Sequence, residues 1–141
     1  MRIVTLFILL WAIENSAFGE GPGETLFKQG LIQLNLGKYE NAIEQFEKSF
    51  AADPSRSAPL INSAWCYERL AELAKQTGDY KEELRNERLA LAQYETVARM
   101  KKARVAHIEI VRSRIPLLQQ DIKRLEEDRR RENEARRSAV A

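Results

Sequence analysis

Side chains that could catalyse a reaction or bind a metal are few in this sequence. Its 141 residues include one histidine, His107, and one cysteine, Cys66. A single histidine with no Cys or Asp cluster beside it does not make a metal site. Cys66 lies between Trp65 and Tyr67, which is typical of a thiol packed in a hydrophobic core rather than of a nucleophile. Since the sequence also has no glycine-rich phosphate loop and no Gly-x-Ser-x-Gly motif, we predict no catalytic residue, no metal and no cofactor.

Charged side chains form one distinctly basic stretch. The net charge of +2 is too close to zero to indicate a polyanionic partner by itself. Between residues 99 and 114, however, Glu109 stands against six basic residues, which are Arg99, Lys101, Lys102, Arg104, Arg112 and Arg114. This stretch either contacts anionic lipid headgroups, cell-wall polymers or an acidic protein, or is a solvated helix face. A nucleic acid is disfavoured as a partner, because no aromatic stacking platform lies nearby and because of the export signal described next.

The first residues have the pattern of an export signal. One charged residue, Arg2, precedes the apolar run Ile3–Ile13, which is too short to span a bilayer. Ala17-Phe18-Gly19 then offers a cleavage site between small residues. We therefore predict a signal peptide over residues 1–19, a flexible leader over residues 20–23, and a periplasmic or secreted protein. The alternative is an uncleaved anchor in the membrane.

From residue 24 onward, apolar residues recur at helical spacing. The first stripe consists of Leu26, Phe27, Gly30, Leu31 and Leu34, and the second of Tyr39, Ala42, Ile43, Phe46 and Phe50. Gly37 allows the first helix to end, and Asp53-Pro54 ends the second. Two helices joined by so short a link pack antiparallel, and the small residues Gly30 and Ala42 would let their backbones approach.

The pattern of two helices joined by a short turn repeats further along the chain. We predict one helix from about Ser57 to Thr77 and another from about Tyr80, with Gly78-Asp79-Tyr80 repeating the turn at Gly37-Lys38-Tyr39. The period is near 34 residues, since Leu26 corresponds to Leu60. Residues 24–102 are therefore predicted to be helical hairpins, with a further turn near Arg99–Arg104.

The remainder of the chain is predicted to be one long helix followed by a tail. A heptad seam is formed by Ile108, Val111, Ile115, Leu118, Ile122 and Leu125. Within residues 103–130 this seam either caps the apolar edge of the hairpins or pairs two chains in a coiled coil. Pro116 should kink this helix or begin a new one. Residues 131–141 are charged and have no apolar face, so we expect a flexible tail that frays into solvent.

The hairpins resemble the tetratricopeptide repeat. Gly30, Ala42, Phe46 and Pro54 fall at the spacing of that family, as do Leu60, Ala64 and Tyr67 in the second copy. The resemblance is good over residues 23–56, partial over 57–97 and absent beyond. In the second copy the first helix is about two turns too long, and Glu83 and Glu87 stand where Ala and Phe are expected.

The resemblance implies an all-α fold of antiparallel hairpins and a non-catalytic scaffold. With the export signal, this predicts a scaffold of the cell envelope or secretory space. In this family the first helices of successive repeats line a groove for a peptide or helix of another protein. By correspondence, the groove residues are Phe27, Leu31, Leu34, Asn35, Ile61, Asn62, Trp65, Glu68 and Arg69. The alternative is a structural envelope protein that self-assembles through its C-terminal helix, using the heptad seam defined above.

Overall fold

A computed structural model describes residues 21–141. The expected signal peptide over residues 1–19 lies outside the described residues. Within residues 21–141 the fold is all-α, as predicted, and five helices follow one another without a strand. They are α1 (Glu24–Asn35), α2 (Tyr39–Ala52), α3 (Ala58–Thr77), α4 (Tyr80–Arg99) and α5 (Val105–Val140).

The first hairpin, α1 and α2, forms where the two apolar stripes predict it. Gly37 adopts a φ of 71° after the end of α1, a conformation that glycine reaches without strain, and the chain reverses there. The facing stripes then bury one apolar cluster, which α3 completes with Cys66. Its buried members are Phe27, Leu31, Ala42, Ile43, Phe46 and Cys66.

Close approach of α1 and α2 depends on Gly30. A Cβ atom at this position would lie 2.5 Å from Cε1 of Phe46, so the ring occupies the space that any other residue's side chain would need. The rings of Phe27 and Phe46 lie 5.6 Å apart between centroids and are tilted. Ala42 is fully buried, as predicted, but the residue packed on Gly30 is Phe46.

The second hairpin, α3 and α4, has longer helices. Gly78 ends α3 with a φ of 74°, and the Asp79 side chain then accepts a hydrogen bond of 3.1 Å from the backbone N–H of Glu82 at the start of α4. A second apolar cluster joins this hairpin to α5. Its buried members are Leu60, Ile61, Ala64, Ala90, Tyr94, Val97, Val111 and Leu118.

The chain turns between Met100 and Arg104, as expected, and α5 then runs to Val140. Of the seam, Val111, Leu118 and Leu125 are buried, while Ile108, Ile115 and Ile122 are half-buried. Because the buried side chains face the chain's own helices, this arrangement favours the capping interpretation.

One expectation about this helix differs from the structure, and one of the two alternatives at Pro116 is excluded. Residues 131–141, expected to fray, are helical up to Val140 although all their side chains are exposed. The favourable helix propensity of Arg, Glu and Ala is the physical reason we assign to this. Pro116 lies inside the helix rather than at its start, on the exposed side, where water can bond the carbonyl that a proline leaves unpaired.

The helices stack in chain order. Each helix packs mainly against the next one, from α1 to α5, so that α3 and α5 lie on either side of α4. Within residues 21–141, no helix is both long enough and apolar enough to cross a bilayer.

Candidate functional site

A cleft of about 430 Å³ lies between α3 and α5, and α4 forms its floor. We call it the α3–α5 cleft. Five carboxylates and three cations are among the residues that line it, so the cleft is a strongly charged concave surface. The lining residues are Trp65, Glu68, Arg69, Ala71, Glu72, Lys75 and Gln76 of α3, Glu83, Glu87 and Tyr94 of α4, and Arg114, Leu118 and Asp121 of α5.

One end of the cleft is closed by a hydrogen-bonded bridge across three helices. The Tyr94 hydroxyl donates to Oε2 of Glu68 at 2.6 Å, and the Arg114 guanidinium pairs with the other oxygen of Glu68. Burial and the neighbouring Glu68 carboxylate raise the pKa of Tyr94, so its hydroxyl stays a donor at any physiological pH. Both oxygens of Glu68 are thus already engaged, and this end of the cleft is held in place.

Other carboxylates of the cleft have no such pair of partners. Glu83 and Glu87 are 3% and 8% exposed, and Oε2 of Glu87 has no hydrogen-bond partner among the residues described. Burial, followed by the charges of Asp121 and Glu83, raises the pKa of Glu87 to about 7, against a smaller opposing effect of Arg124. Burial likewise raises the pKa of Glu83. We call Glu83, Glu87 and Asp121 the acidic cluster of the cleft.

Trp65 and Arg69 form the rim at the α3 wall. Trp65 is half-buried, and its ring meets Tyr39 edge-on with centroids 6.1 Å apart. The Arg69 guanidinium lies over the Trp65 ring, 5.8 Å from its centroid. Trp65 therefore both supports the junction with the first hairpin and presents part of an aromatic surface to the cleft.

The groove predicted from the sequence is only partly present as a surface. Trp65, Glu68 and Arg69 line the α3–α5 cleft. Leu34 and Asn35 belong to α1 and are not among the cleft residues. The other four are buried, with Phe27, Leu31 and Ile61 in the two apolar clusters and Asn62 donating to the Ala58 carbonyl at 2.9 Å.

The reason for this correction is geometric. Phe27, Leu31 and Ile61 stabilise contacts between neighbouring helices, so a partner could reach them only if those contacts opened. A role of the remaining groove residues in binding stays a prediction.

Several residues of the cleft were not expected from the sequence. Tyr94, Arg114 and Asp121 come from helices that the predicted groove does not include. The departure of Glu83 and Glu87 from the repeat pattern was a signal, because two acids stood where the family packs Ala and Phe. That signal was ambiguous, since acids on a predicted helix are equally consistent with a solvated face.

The basic stretch over residues 99–114 is divided by the fold. Arg114 contributes to the cleft bridge, and Arg104 is half-buried. Arg99, Lys101, Lys102 and Arg112 remain exposed. Contact of this stretch with lipid headgroups or an acidic polymer stays a prediction.

Residues suited to catalysis are enclosed. Nδ1 of His107 lies 2.6 Å from Oγ of Ser57, and both residues are buried where the start of α5 meets the start of α3. Burial, with a smaller effect of Glu40, raises the pKa of the Cys66 thiol to about 12, which disfavours the reactive thiolate. In the portion from residue 21 onward, no three His, Cys, Asp or Glu side chains are grouped closely enough to hold a metal ion.

Comparison with known families matches part of the chain. Residues 23–56, which form the first hairpin and its flanking turns, match the Tetratricopeptide repeat family. This repeat is a non-enzymatic fold that typically mediates binding to other proteins. No curated protein and no solved structure matches the chain.

Proposed function

We propose that the chain is a non-catalytic interaction module that binds a segment of another protein in the α3–α5 cleft. The observation that carries this proposal is the cleft itself, which is open, concave and walled by successive helices of a stacked array. Repeat arrays use such concave surfaces for binding. The repeat match over residues 23–56 supports the same class of function.

The polar content of the cleft argues for recognition rather than for packing alone. Buried carboxylates destabilise a fold unless they are paired, and the cleft has two of them on one helix. Ionisable groups with strongly perturbed pKa values in a cleft mark candidate functional sites. An aromatic rim at Trp65 adds the kind of contact that often contributes much binding energy at interfaces.

A selection from a displayed library of random dodecapeptides tests the proposal. The purified protein should enrich peptides that, once synthesised, bind in isothermal titration calorimetry with Kd values in the micromolar range. Gln76→Trp introduces a bulky side chain at the cleft without changing charge, and it should abolish that binding.

Gln29→Trp is the matched control, because Gln29 is exposed on α1 and does not line the cleft. Its affinity for the selected peptides should equal that of the wild type. Failure to enrich any peptide, or binding that Gln76→Trp leaves unchanged, would contradict the proposal.

We further propose that the module acts in the envelope or secretory space. This part rests on the sequence pattern of residues 1–19 alone, namely the apolar run Ile3–Ile13 and the small residues that follow it. N-terminal sequencing of the protein recovered from its native cell should begin at or near Glu20. An intact N-terminus in the membrane fraction would favour the anchored alternative.

A further inference from the structure

We propose that the acidic cluster of the cleft is a subsite for one basic side chain, a lysine or an arginine, of the bound protein segment. This inference rests on the proposed function and specifies the chemistry of the partner. The residues that carry it are Glu83, Glu87 and Asp121, which come from two helices and line one cavity.

Glu87 is the centre of the subsite. The residue is 8% exposed, yet its Oε2 lacks a hydrogen-bond partner among the residues described. A buried carboxylate oxygen without a donor costs free energy that a ligand bearing an N–H group would recover. Glu87 lines the cavity, so such a group would approach its carboxylate from there.

Charges facing Glu87 come from all three helices around it. Asp121 and Glu83 disfavour its ionised form, as does Glu68 more weakly, whereas Arg124 favours it. Lys75 and Arg124 likewise favour the ionised form of Glu83. These two cations do not offset burial, because the pKa of both glutamates stays raised. The cluster therefore still favours an added positive charge.

The walls of the same cavity suit the rest of a basic side chain. Ala71 of α3 and Leu118 of α5 are both 3% exposed and line the cleft beside the carboxylates. Lysine and arginine have an apolar stem and a cationic head, so the stem can pack on these residues while the head meets the acids. A volume of about 430 Å³ leaves room for neighbouring residues of the same segment.

The peptides selected against the cleft provide the test. We expect each of them to contain a lysine or arginine at one shared position. Replacing that residue with norleucine or citrulline, which removes the charge, should weaken binding to the wild type by about 30-fold or more. The same replacement should have little effect on Glu87→Gln, since the group that recognises the charge is then absent.

The control is Glu109→Gln, which changes the net charge by the same amount at an exposed position of α5 outside the cleft. It should bind the basic peptides as the wild type does. Enrichment of peptides without a shared basic position, or a charge preference that survives Glu87→Gln, would overturn the subsite but leave the proposed function standing. No enrichment at all would overturn both.

Two alternative occupants of the acidic cluster, a free cation and a second copy of the chain, are tested by competition and by hydrodynamic measurements. Spermidine or calcium chloride that displaces the peptide at an equal concentration would assign the cluster to a free cation and overturn the inference. A dimer of the wild type that Glu87→Gln dissociates would assign the basic group to a second copy of the chain, with the same consequence.

The pH dependence of binding gives a readout that a purely structural role would not change. Because the pKa of Glu87 in the free protein is about 7, affinity for the basic peptide should rise between pH 5.5 and pH 8 as the carboxylate forms. The Glu87 carboxylate is also influenced by Glu83, Asp121 and Glu68, and in the opposite sense by Arg124. Glu87→Gln removes only the titration of Glu87 and so isolates its contribution to the pH dependence. That variant should flatten the profile, and an unchanged profile would contradict the subsite.

Discussion

Single side chains explain why the cleft is a better candidate for function than the reactive residues. Cys66 is fully buried, and His107 is buried with its Nδ1 hydrogen-bonded to Ser57, so both are poorly accessible from solvent. Glu87 is buried as well, but it lines an open cavity and leaves an oxygen unpaired. Burial therefore makes Cys66 and His107 poor candidates for function but not Glu87, because Glu87 borders an open cavity.

The Cys66 thiol should be inert in the folded protein. With a pKa of about 12, the thiolate is on the order of one ten-thousandth of the population at pH 8. Ellman's reagent should therefore react with it only after unfolding in guanidinium chloride. Since the chain has one cysteine, rapid stoichiometric labelling of the native protein would show that Cys66 is exposed.

Glu87 should make stability depend on pH in a defined window. Its pKa is 4.5 in the unfolded chain and about 7 when folded, so the folded state holds more protons between these values. Stability therefore falls as pH rises through this window, and the destabilisation is complete above about pH 7. Glu87→Gln cannot ionise and should have a Tm close to the wild type at pH 4.5 but above it at pH 8.

Thermal unfolding across this pH range measures the difference. Glu109→Gln, an exposed substitution of the same kind, should follow the wild type at every pH. A Glu87→Gln variant less stable than the wild type at pH 8 would mean that the carboxylate is favourably paired in the fold.

Packing of the helices depends on glycines at contacts and turns as well as on apolar helix faces. Gly30 admits the ring of Phe46, and Gly37 and Gly78 end α1 and α3 with positive φ angles. At the end of the stack, Val111, Leu118 and Leu125 of α5 are buried, and the first two join the apolar cluster of the second hairpin. The order of the stack thus depends on glycines between helices and on one apolar stripe at its end.

Substitution of Gly30 tests the contact of α1 with α2. Gly30→Ala should destabilise the protein by about 1–3 kcal/mol, because the added Cβ would lie 2.5 Å from the Phe46 ring and overpack the core. Chemical denaturation measures this. Gln29→Ala, at the exposed neighbouring position, should be close to neutral, and Phe46→Leu should relieve part of the strain in a double variant. An unchanged stability of Gly30→Ala would mean that α1 and α2 can separate freely.

The molecule as a whole is a short array closed by a long helix. Two hairpins are fewer than the three repeats that arrays usually need for stability. The helix α5 covers the second hairpin, and the same helix supplies one wall of the cleft. Leu118 of its seam is therefore occupied within the chain, which favours capping over a coiled coil between two chains.

Leu117 and Leu118 distinguish capping from self-assembly. Leu118 is 3% exposed and Leu117 is 49% exposed, although they are adjacent. Leu118→Ala should cost about 2–5 kcal/mol of stability, whereas Leu117→Ala should cost about 0.5 kcal/mol or less. In sedimentation the wild type should be a monomer. A dimer that Leu118→Ala converts into a folded monomer would contradict capping and support the self-assembling alternative.

The sequence alone predicted the helices and most of their ends. Helical spacing from Leu26 to Phe50, the glycines at 37 and 78, and Pro54 act locally, because helix hydrogen bonds join residues four apart and these residues end them in place. The prediction of a flexible tail was wrong because local helix propensity was left out of it. The absence of an apolar face does not exclude a helix over residues 131–141, because helix propensity along the chain still favours one.

Only the tertiary structure decided what the helices enclose. Glu68, Glu87 and Asp121 are far apart in the chain and share one cleft because α3 and α5 pack on either side of α4. The same packing buries Phe27, Leu31 and Ile61, which the repeat pattern had assigned to a groove. A periodic pattern tells which face of a helix is apolar but not which neighbour covers it. That choice depends on how neighbouring helices pack, so the acidic cluster of this protein could not be read from its sequence.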